Sequence, residues 1–252
     1  MAKRLIVSRF FKKCDFFLAI SDSNEAYLKY FGVRPRNITR VPFPVDMGFW
    51  NGPRAIKHQQ RRHLLRENLG IGPDDTVYMF AGKLVAHKRP EDVIRAFAEL
   101  NQTNTYLLII GNGEESRKLK ALVKEYSLSE RAMFFGFVNQ GELPELFACS
   151  DILVFPSEFE PYGAIAAEVL PFGLAIIASD VVGAMGGPIQ PGLNALVYPA
   201  THVQRLADCM LALHQNKSQL QSFSDYSRTL ADSQDARFMA HSISNFCQSS
   251  HN

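Results

Sequence analysis

Glu160 and Glu168 stand with seven residues between them in Pro156-Ser157-Glu158-Phe159-Glu160-Pro161-Tyr162-Gly163-Ala164-Ile165-Ala166-Ala167-Glu168. Two carboxylates so placed can hold the two ends of one polar ligand. The preceding run, Asp151–Phe155, is short, apolar and β-branched, and reads as a buried strand. Pro161 suits a first helical position, where its missing N–H would have no partner. A helix is therefore expected over Pro161–Phe172, with Glu160 at its cap and the N–H groups of Gly163 and Ala164 pointing out of its end. Such an end attracts anions. On that helix Glu168 lies roughly 12 Å along the axis from Glu160, at about 1.5 Å per residue. The span suits a diphosphate-bridged ligand. The plainer alternative makes Glu160 a cap and Glu168 half of a structural salt bridge, since a carboxylate among apolar neighbours needs a partner.

Two more loops carry candidate chemistry. After a strand expected at Thr76–Ala81 comes Gly82-Lys83-Leu84-Val85-Ala86-His87-Lys88-Arg89-Pro90. Its cations suit a diphosphate and would stabilise charge building on a leaving phosphate. A solvated basic loop is the other reading. After a strand expected at Thr105–Ile110 comes Gly111-Asn112-Gly113-Glu114-Glu115-Ser116, which begins like a dinucleotide fingerprint but has Ser116 at the third glycine position. With two acidic residues there, a tight turn is the expectation. His87 reads as an exposed loop residue or as a donor to phosphate or sugar. No HExxH, Ser-His-Asp order or nucleophile elbow is present. The backbone spacing of the glutamates exceeds the roughly 5–9.5 Å between a glycosidase's carboxyl groups, which argues weakly against hydrolysis.

These loops need a scaffold. Strands are expected at Thr76–Ala81, Thr105–Ile110, Ala132–Phe135, Asp151–Phe155, Ala175–Ala178 and Ala195–Tyr198. Helices are expected near Pro90–Leu100, Glu114–Tyr126, Glu142–Ala148, Pro161–Phe172 and Val203–His214. This alternation implies an α/β fold with a doubly wound, parallel, six-stranded sheet. Ligand then sits at the carboxyl ends of the strands, where the strand order reverses. The front adds a helix at 2–13, a strand at Phe16–Ser21, a helix at Ser23–Phe31 capped by Asp22 or Ser23, and a strand at Ile38–Pro42. The expected division is 1–46 as a partial βαβ unit, 47–73 as a linker with one helix, 74–216 as the main domain, and 217–252 as a helical tail. In that tail Phe238, Met239, Ile243 and Phe246 share a stripe.

The 252 residues are 46% hydrophobic and 21% charged, an ordinary globular composition. No apolar run reaches membrane-span length, and basic residues interrupt any signal-peptide core. Cys14, Cys149, Cys209 and Cys247 form no CxxC pair and no metal spacing, which suggests a reducing cytoplasm. Residues 1–72 carry 14 Lys/Arg against 5 Asp/Glu, a net of +9; the remainder carries 13 against 20, a net of −7. A basic front fits a solvated surface, an acidic partner or peripheral contact with anionic lipid. No nucleic-acid motif accompanies it, so nucleic acid is not an expected partner.

Together the motifs resemble the retaining glycosyltransferases of the GT-B fold, in the large Glu-(seven residues)-Glu family of glycosyl transferase group 1 type. Gly82-Lys83-Leu84 with Lys88 looks like its phosphate clamp, and Ile110-Gly111-Asn112-Gly113 like its glycine turn. Phe135-Gly136-Phe137-Val138 is similar to the loop that meets the nucleobase through backbone groups. Pro156-Ser157, Glu160-Pro161-Tyr162-Gly163 and Glu168 resemble the donor motif, and Ser179-Asp180, Val182-Gly183 and Gly192-Leu193-Asn194 follow in register. The match spans about residues 15–215.

The resemblance implies a role for each. Glu160 meets sugar hydroxyls near the reacting centre, Glu168 holds the ribose hydroxyls, and Lys83 and Lys88 neutralise the diphosphate with help from the amides of Gly163 and Ala164. Gly111, Val138 and Tyr162 complete the donor site. No metal and no other cofactor is expected, because lysines and a helix end stand in for one. Lys83 departs from the frequent Arg and offers a point charge without a bidentate fork. Gly187 and Ala195 stand where an acidic residue and a glycine are frequent. Residues 15–46 resemble only the last part of the family's N-terminal domain, whose acceptor-binding bulk has no counterpart here.

The resulting expectation is transfer of a hexosyl group from a nucleoside diphosphate sugar to a glycan, lipid or small alcohol, with retention of configuration. The alternative is a truncated or split donor-binding module, inactive alone, that needs an acceptor-domain subunit or self-association through 1–46. A dinucleotide oxidoreductase is disfavoured by the missing third glycine.

Overall fold

In the computed structural model, which describes residues 2–249, the chain opens with α1 (Ala2–Phe11), β1 (Phe17–Ala19), α2 (Asp22–Tyr30) and β2 (Ile38–Arg40). β1 and β2 pair in parallel, Phe17 opposite Ile38, around a small core of Ala19, Leu28 and Val33. The cap of α2 is Ser21, not Asp22 or Ser23. Ser21 is the extended residue, and its hydroxyl accepts from the Asn24 N–H at 3.2 Å. On α1, Leu5, Ile6 and Phe10 face outward. No helix among the described residues is long and apolar enough to cross a membrane.

Where a linker with one helix is expected there are three: α3 (Met47–Trp50), α4 (Pro53–Gln60) and α5 (Arg62–Asn68). They are packed into the protein. Trp50 is buried and stacks on Phe147 with ring centroids 5.4 Å apart. Arg62 and Arg66 both reach Asp151, at 2.5 and 2.6 Å, and Arg66 is only 3% exposed. Part of the basic front is thus consumed internally, by one half-buried carboxylate.

The main sheet is built of β3 (Thr76–Ala81), β4 (Thr105–Ile110), β5 (Ala132–Gly136), β6 (Ile152–Phe155), β7 (Ala175–Ser179) and β8 (Ala195–Tyr198), in the order β5-β4-β3-β6-β7-β8, all parallel. The chain order reverses between β3 and β6. Val77, Met79, Leu153 and Phe155 enter one core layer, while Tyr78, Phe80, Ile152 and Val154 enter the other. Both faces are buried, which is why the strands read as unbroken apolar runs. The connecting helices are α6 (Pro90–Leu100), α7 (Ser116–Glu125), α8 (Leu143–Cys149) and the short α9 (Ile165–Glu168). α7 buries Leu119, Leu122 and Val123 and leaves Arg117, Lys118, Lys120 and Lys124 exposed, as its spacing predicts.

After β8 come α10 (Val203–Gln215), α11 (Lys217–Ala231) and α12 (Ala236–Ser249). α11 belongs to the sheet layer, because the Ser227 hydroxyl donates to the Leu174 carbonyl at 2.8 Å. The chain then returns to the front. The Val45 N–H donates to the Gln234 carbonyl, and Phe16 meets Phe246 at 4.7 Å. Phe238 does not share the expected stripe; it is exposed.

Candidate active site

Two adjoining cavities open at the carboxyl ends of β3, β4 and β6, beside the point of strand reversal. One, of about 250 Å³, is lined by Lys88, Ser157, Glu160, Gly163 and Ala164 over a floor of Phe80 and Phe155. The other, of about 470 Å³, is lined by Lys83, Ile110, Gly111, Asn112, Phe137, Val138 and Leu143. Ala81, Gly82 and Ile165 border both. The first, here the polar cavity, carries the polar side chains Lys88, Ser157 and Glu160 among apolar neighbours, and it meets the more strongly apolar second across the turn that follows β3.

The glycines of this turn serve the chain itself. Gly111 has φ +129°, and a Cβ there would lie 1.8 Å from the Gly82 carbonyl oxygen. A Cβ on Gly113 would lie 2.2 Å from the Leu84 carbonyl oxygen. The loop after β4 thereby clasps the loop after β3, with the Leu84 N–H donating to the Asn112 carbonyl and the Glu115 N–H to the Leu84 carbonyl, each at 3.0 Å. The expected tight turn is what the partial fingerprint encodes.

Among the cations of the β3 loop, Lys88 forms an ion pair with Glu160 inside the polar cavity. Lys83 is exposed at the apolar one. Arg89 is taken up by Asp92 at 2.9 Å and Glu158 at 3.5 Å. His87 is exposed, and its carbonyl accepts the Glu158 N–H at 3.0 Å. The basic loop is thus tied to the glutamate motif by one backbone bond and two ion pairs.

The helix expected from Pro161 starts four residues later, at Ile165, and α9 has only four residues. Glu160 is therefore no helix cap. It bridges to Val182, and its carbonyl accepts the Gly183 N–H at 2.9 Å. Gly163 delays the helix, with φ +96° and a position where a Cβ would lie 2.3 Å from the Phe155 ring. The 12 Å axial estimate lapses with the helix. The N–H groups of Gly163 and Ala164 have no backbone acceptor among the described residues, and both residues line the polar cavity.

The other expected site residues separate. Gly111 and Val138 line the apolar cavity, next to Phe137, which is 73% exposed. Tyr162 lines neither cavity. It is buried and stacks on Phe43, with centroids 4.4 Å apart, and burial pushes its hydroxyl up to about 12. Glu168 lines neither cavity, and although its N–H donates to the Ala164 carbonyl at 3.1 Å, its carboxylate has no hydrogen-bond or ion-pair partner among the described residues. Burial alone pushes its carboxyl up to about 7. The partner expected for it is not supplied by the fold. Ser157, which the motif contains without an assigned role, is buried in the polar cavity wall, and its hydroxyl has no partner there. No group of three or more His, Cys, Asp or Glu among the described residues is placed to hold a metal ion.

The family model for glycosyl transferases group 1 matches residues 61–230. The chain belongs to this family. An uncharacterised glycosyltransferase of Methanocaldococcus jannaschii is 33% identical over 121 residues, 48% of this chain and 31% of that protein. The alpha-D-kanosaminyltransferase of Streptomyces kanamyceticus is 27% identical over 154 residues, 60% of this chain and 39% of that protein. The chain thus spans between about three tenths and two fifths of the length of these group 1 relatives. Among solved structures, Anabaena HepE in complex with UDP superposes with a TM-score of 0.78 at 19% identity, over 94% of this chain and 64% of that one. The same protein was also solved with UDP-glucose. At that identity the likeness concerns the fold, a Rossmann-like GT-B arrangement.

Proposed function

We propose that this group 1 glycosyltransferase chain binds a nucleoside diphosphate sugar across Gly82 and supports transfer of its hexosyl group, with retention, to a glycan, lipid or small-alcohol acceptor. The observation that carries the reading is the Lys88–Glu160 pair inside a small polar cavity that abuts an apolar one. The base would occupy the apolar cavity near Val138 and Gly111, and the sugar the polar one.

A diphosphate lying over Gly82 competes with Glu160 for Lys88. Lys88 then moves to phosphate oxygens, joined by exposed Lys83 and the free N–H groups of Gly163 and Ala164. Glu160 is released toward the sugar hydroxyls. In this reading the two lysines neutralise charge on the leaving diphosphate, the role a metal plays elsewhere. The bond from the anomeric carbon to the diphosphate oxygen breaks, the acceptor oxygen bonds to that carbon on the face the diphosphate leaves, and a leaving-phosphate oxygen takes the acceptor's proton; attack on that same face retains the anomeric configuration. Glu168, without a partner, accepts the ribose hydroxyls.

The HepE complexes make UDP-glucose the first probe, with GDP- and ADP-glucose beside it. Calorimetry on the purified chain, followed by transfer and hydrolysis assays, tests the reading. Saturable binding of one donor supports it, and binding to none overturns it. Binding without turnover assigns catalysis to a longer protein or to an assembly containing the acceptor-binding part.

A further inference from the structure

Three side chains lining the polar cavity carry hydrogen-bonding groups: Lys88, Glu160 and Ser157. Lys88 and Glu160 satisfy each other. Ser157 is 1% exposed, and its hydroxyl has no partner among the described residues. Its backbone is nevertheless fixed, since the Ser179 hydroxyl donates to the Ser157 carbonyl at 2.5 Å. A buried hydroxyl left unpaired is destabilising, and a fold that keeps one needs a reason.

The donor complex supplies that reason. When a diphosphate draws Lys88 away, Glu160 keeps a charge that is only 10% exposed and has lost its cation. Apart from Lys88, Ser157 is the one side chain lining this cavity with an O–H or N–H to donate. It stands three residues before Glu160, two residues past the end of β6. We infer that Ser157 is a positioning residue for Glu160. Its hydroxyl donates to the Glu160 carboxylate once Lys88 has left, and holds that carboxylate against the sugar. The inference rests on the donor reading above.

The two states give the substitution opposite signs. In the unliganded protein Ser157→Ala deletes an unsatisfied buried group, so the melting temperature equals or exceeds that of the wild type. In the complex it deletes the donor that replaces Lys88, so UDP-glucose affinity falls about 10- to 150-fold, the size of one hydrogen bond to a charged group. Because the effect runs through Glu160, it shrinks to less than about 2-fold in a Glu160→Gln background. Ser157→Cys, of similar shape with a weaker donor, falls between.

The test is a double-mutant cycle on the full chain, using calorimetry with UDP-glucose and GDP- and ADP-glucose run alongside, and thermal melts without ligand. Loss of affinity confined to the Glu160 background, with unlowered melting, supports the inference. Equal loss in both backgrounds, no loss, or a lowered melting temperature overturns it. Wild-type protein that binds none of the three donors sinks the donor reading itself, which is a distinct result from wild-type binding that Ser157→Ala leaves unchanged.

Discussion

Lys88 and Glu160 form an ion pair in the polar cavity, with side chains only 22% and 10% exposed. Each is therefore the other's main source of compensation. Lys88→Met leaves a nearly buried carboxylate unpaired, so it should destabilise the unliganded protein by about 1–3 kcal/mol. It should also weaken donor binding at least about tenfold. Glu160→Gln should keep nucleotide affinity within a few-fold and cut transfer on the order of 10²-fold, since it removes a contact made at the sugar. Thermal melts, calorimetry and transfer rates read the three effects. A Lys88→Met protein that binds donor like the wild type contradicts the clamp.

Glu168 gives the protein a pH signature. Its folded-state carboxyl lies at about 7, above the ordinary value of 4.5. The folded protein thus holds a proton there between those values that the unfolded chain has released. Stability from this group is full below about 4.5 and is lost as pH rises through 7. Glu168→Gln should be more stable than wild type at pH 8, by on the order of 1–3 kcal/mol. Donor affinity runs the other way. On the proposed ribose contact, hydroxyls bond more strongly to a carboxylate than to a carboxyl, so wild-type affinity should rise from pH 6 to 8. In Glu168→Gln that slope should vanish and affinity should be lower throughout. Calorimetric titrations at pH 6, 7 and 8 decide the matter, and a slope that persists in the variant rules out Glu168 as its source.

Two left-handed glycines separate crowding from conformational strain. Gly111→Ala forces a Cβ against the Gly82 carbonyl oxygen at the junction of the cavities. It should cost more than about 2 kcal/mol and abolish donor binding. Gly192 has φ +77° with open space around it, so Gly192→Ala should cost only about 1 kcal/mol and leave binding intact. Denaturant melts with donor titrations compare them; equal costs would refute the close-approach argument for Gly111.

Asp151 accepts from Arg62, Arg66 and the Val77 N–H. Asp151→Ala removes the counter-charge of the buried Arg66 guanidinium and leaves it only carbonyl acceptors, so a loss of about 3–5 kcal/mol is expected in urea melts. A loss below about 1 kcal/mol would mean that α5 is not anchored through this carboxylate.

The six strands were legible because both faces of the sheet are buried, which makes each strand an apolar run bounded by turn residues. α6 was legible because Pro90 opens it and its apolar positions recur at helical spacing. The late start of α9 was not. It depends on the bridge from Glu160 to Val182 and on the Phe155 ring beneath Gly163, contacts with no local sequence mark. Residues 47–73 misled through composition, since their arginines find a carboxylate more than eighty residues away. Lys83, Lys88 and Glu160 were readable as charged residues in the loops that follow strands, and Glu168 as a carboxylate among apolar neighbours. That Lys88 rests on Glu160, that Tyr162 packs away on Phe43, and that the Ser157 hydroxyl stands alone are facts of packing.

The most direct test of the central claim is calorimetric titration of the wild type and of Lys88→Met with UDP-, GDP- and ADP-glucose. The donor site described here predicts saturable binding of one of them by the wild type and its loss in Lys88→Met. No binding by the wild type, or equal binding by both proteins, contradicts a diphosphate site built on Lys88 and Glu160.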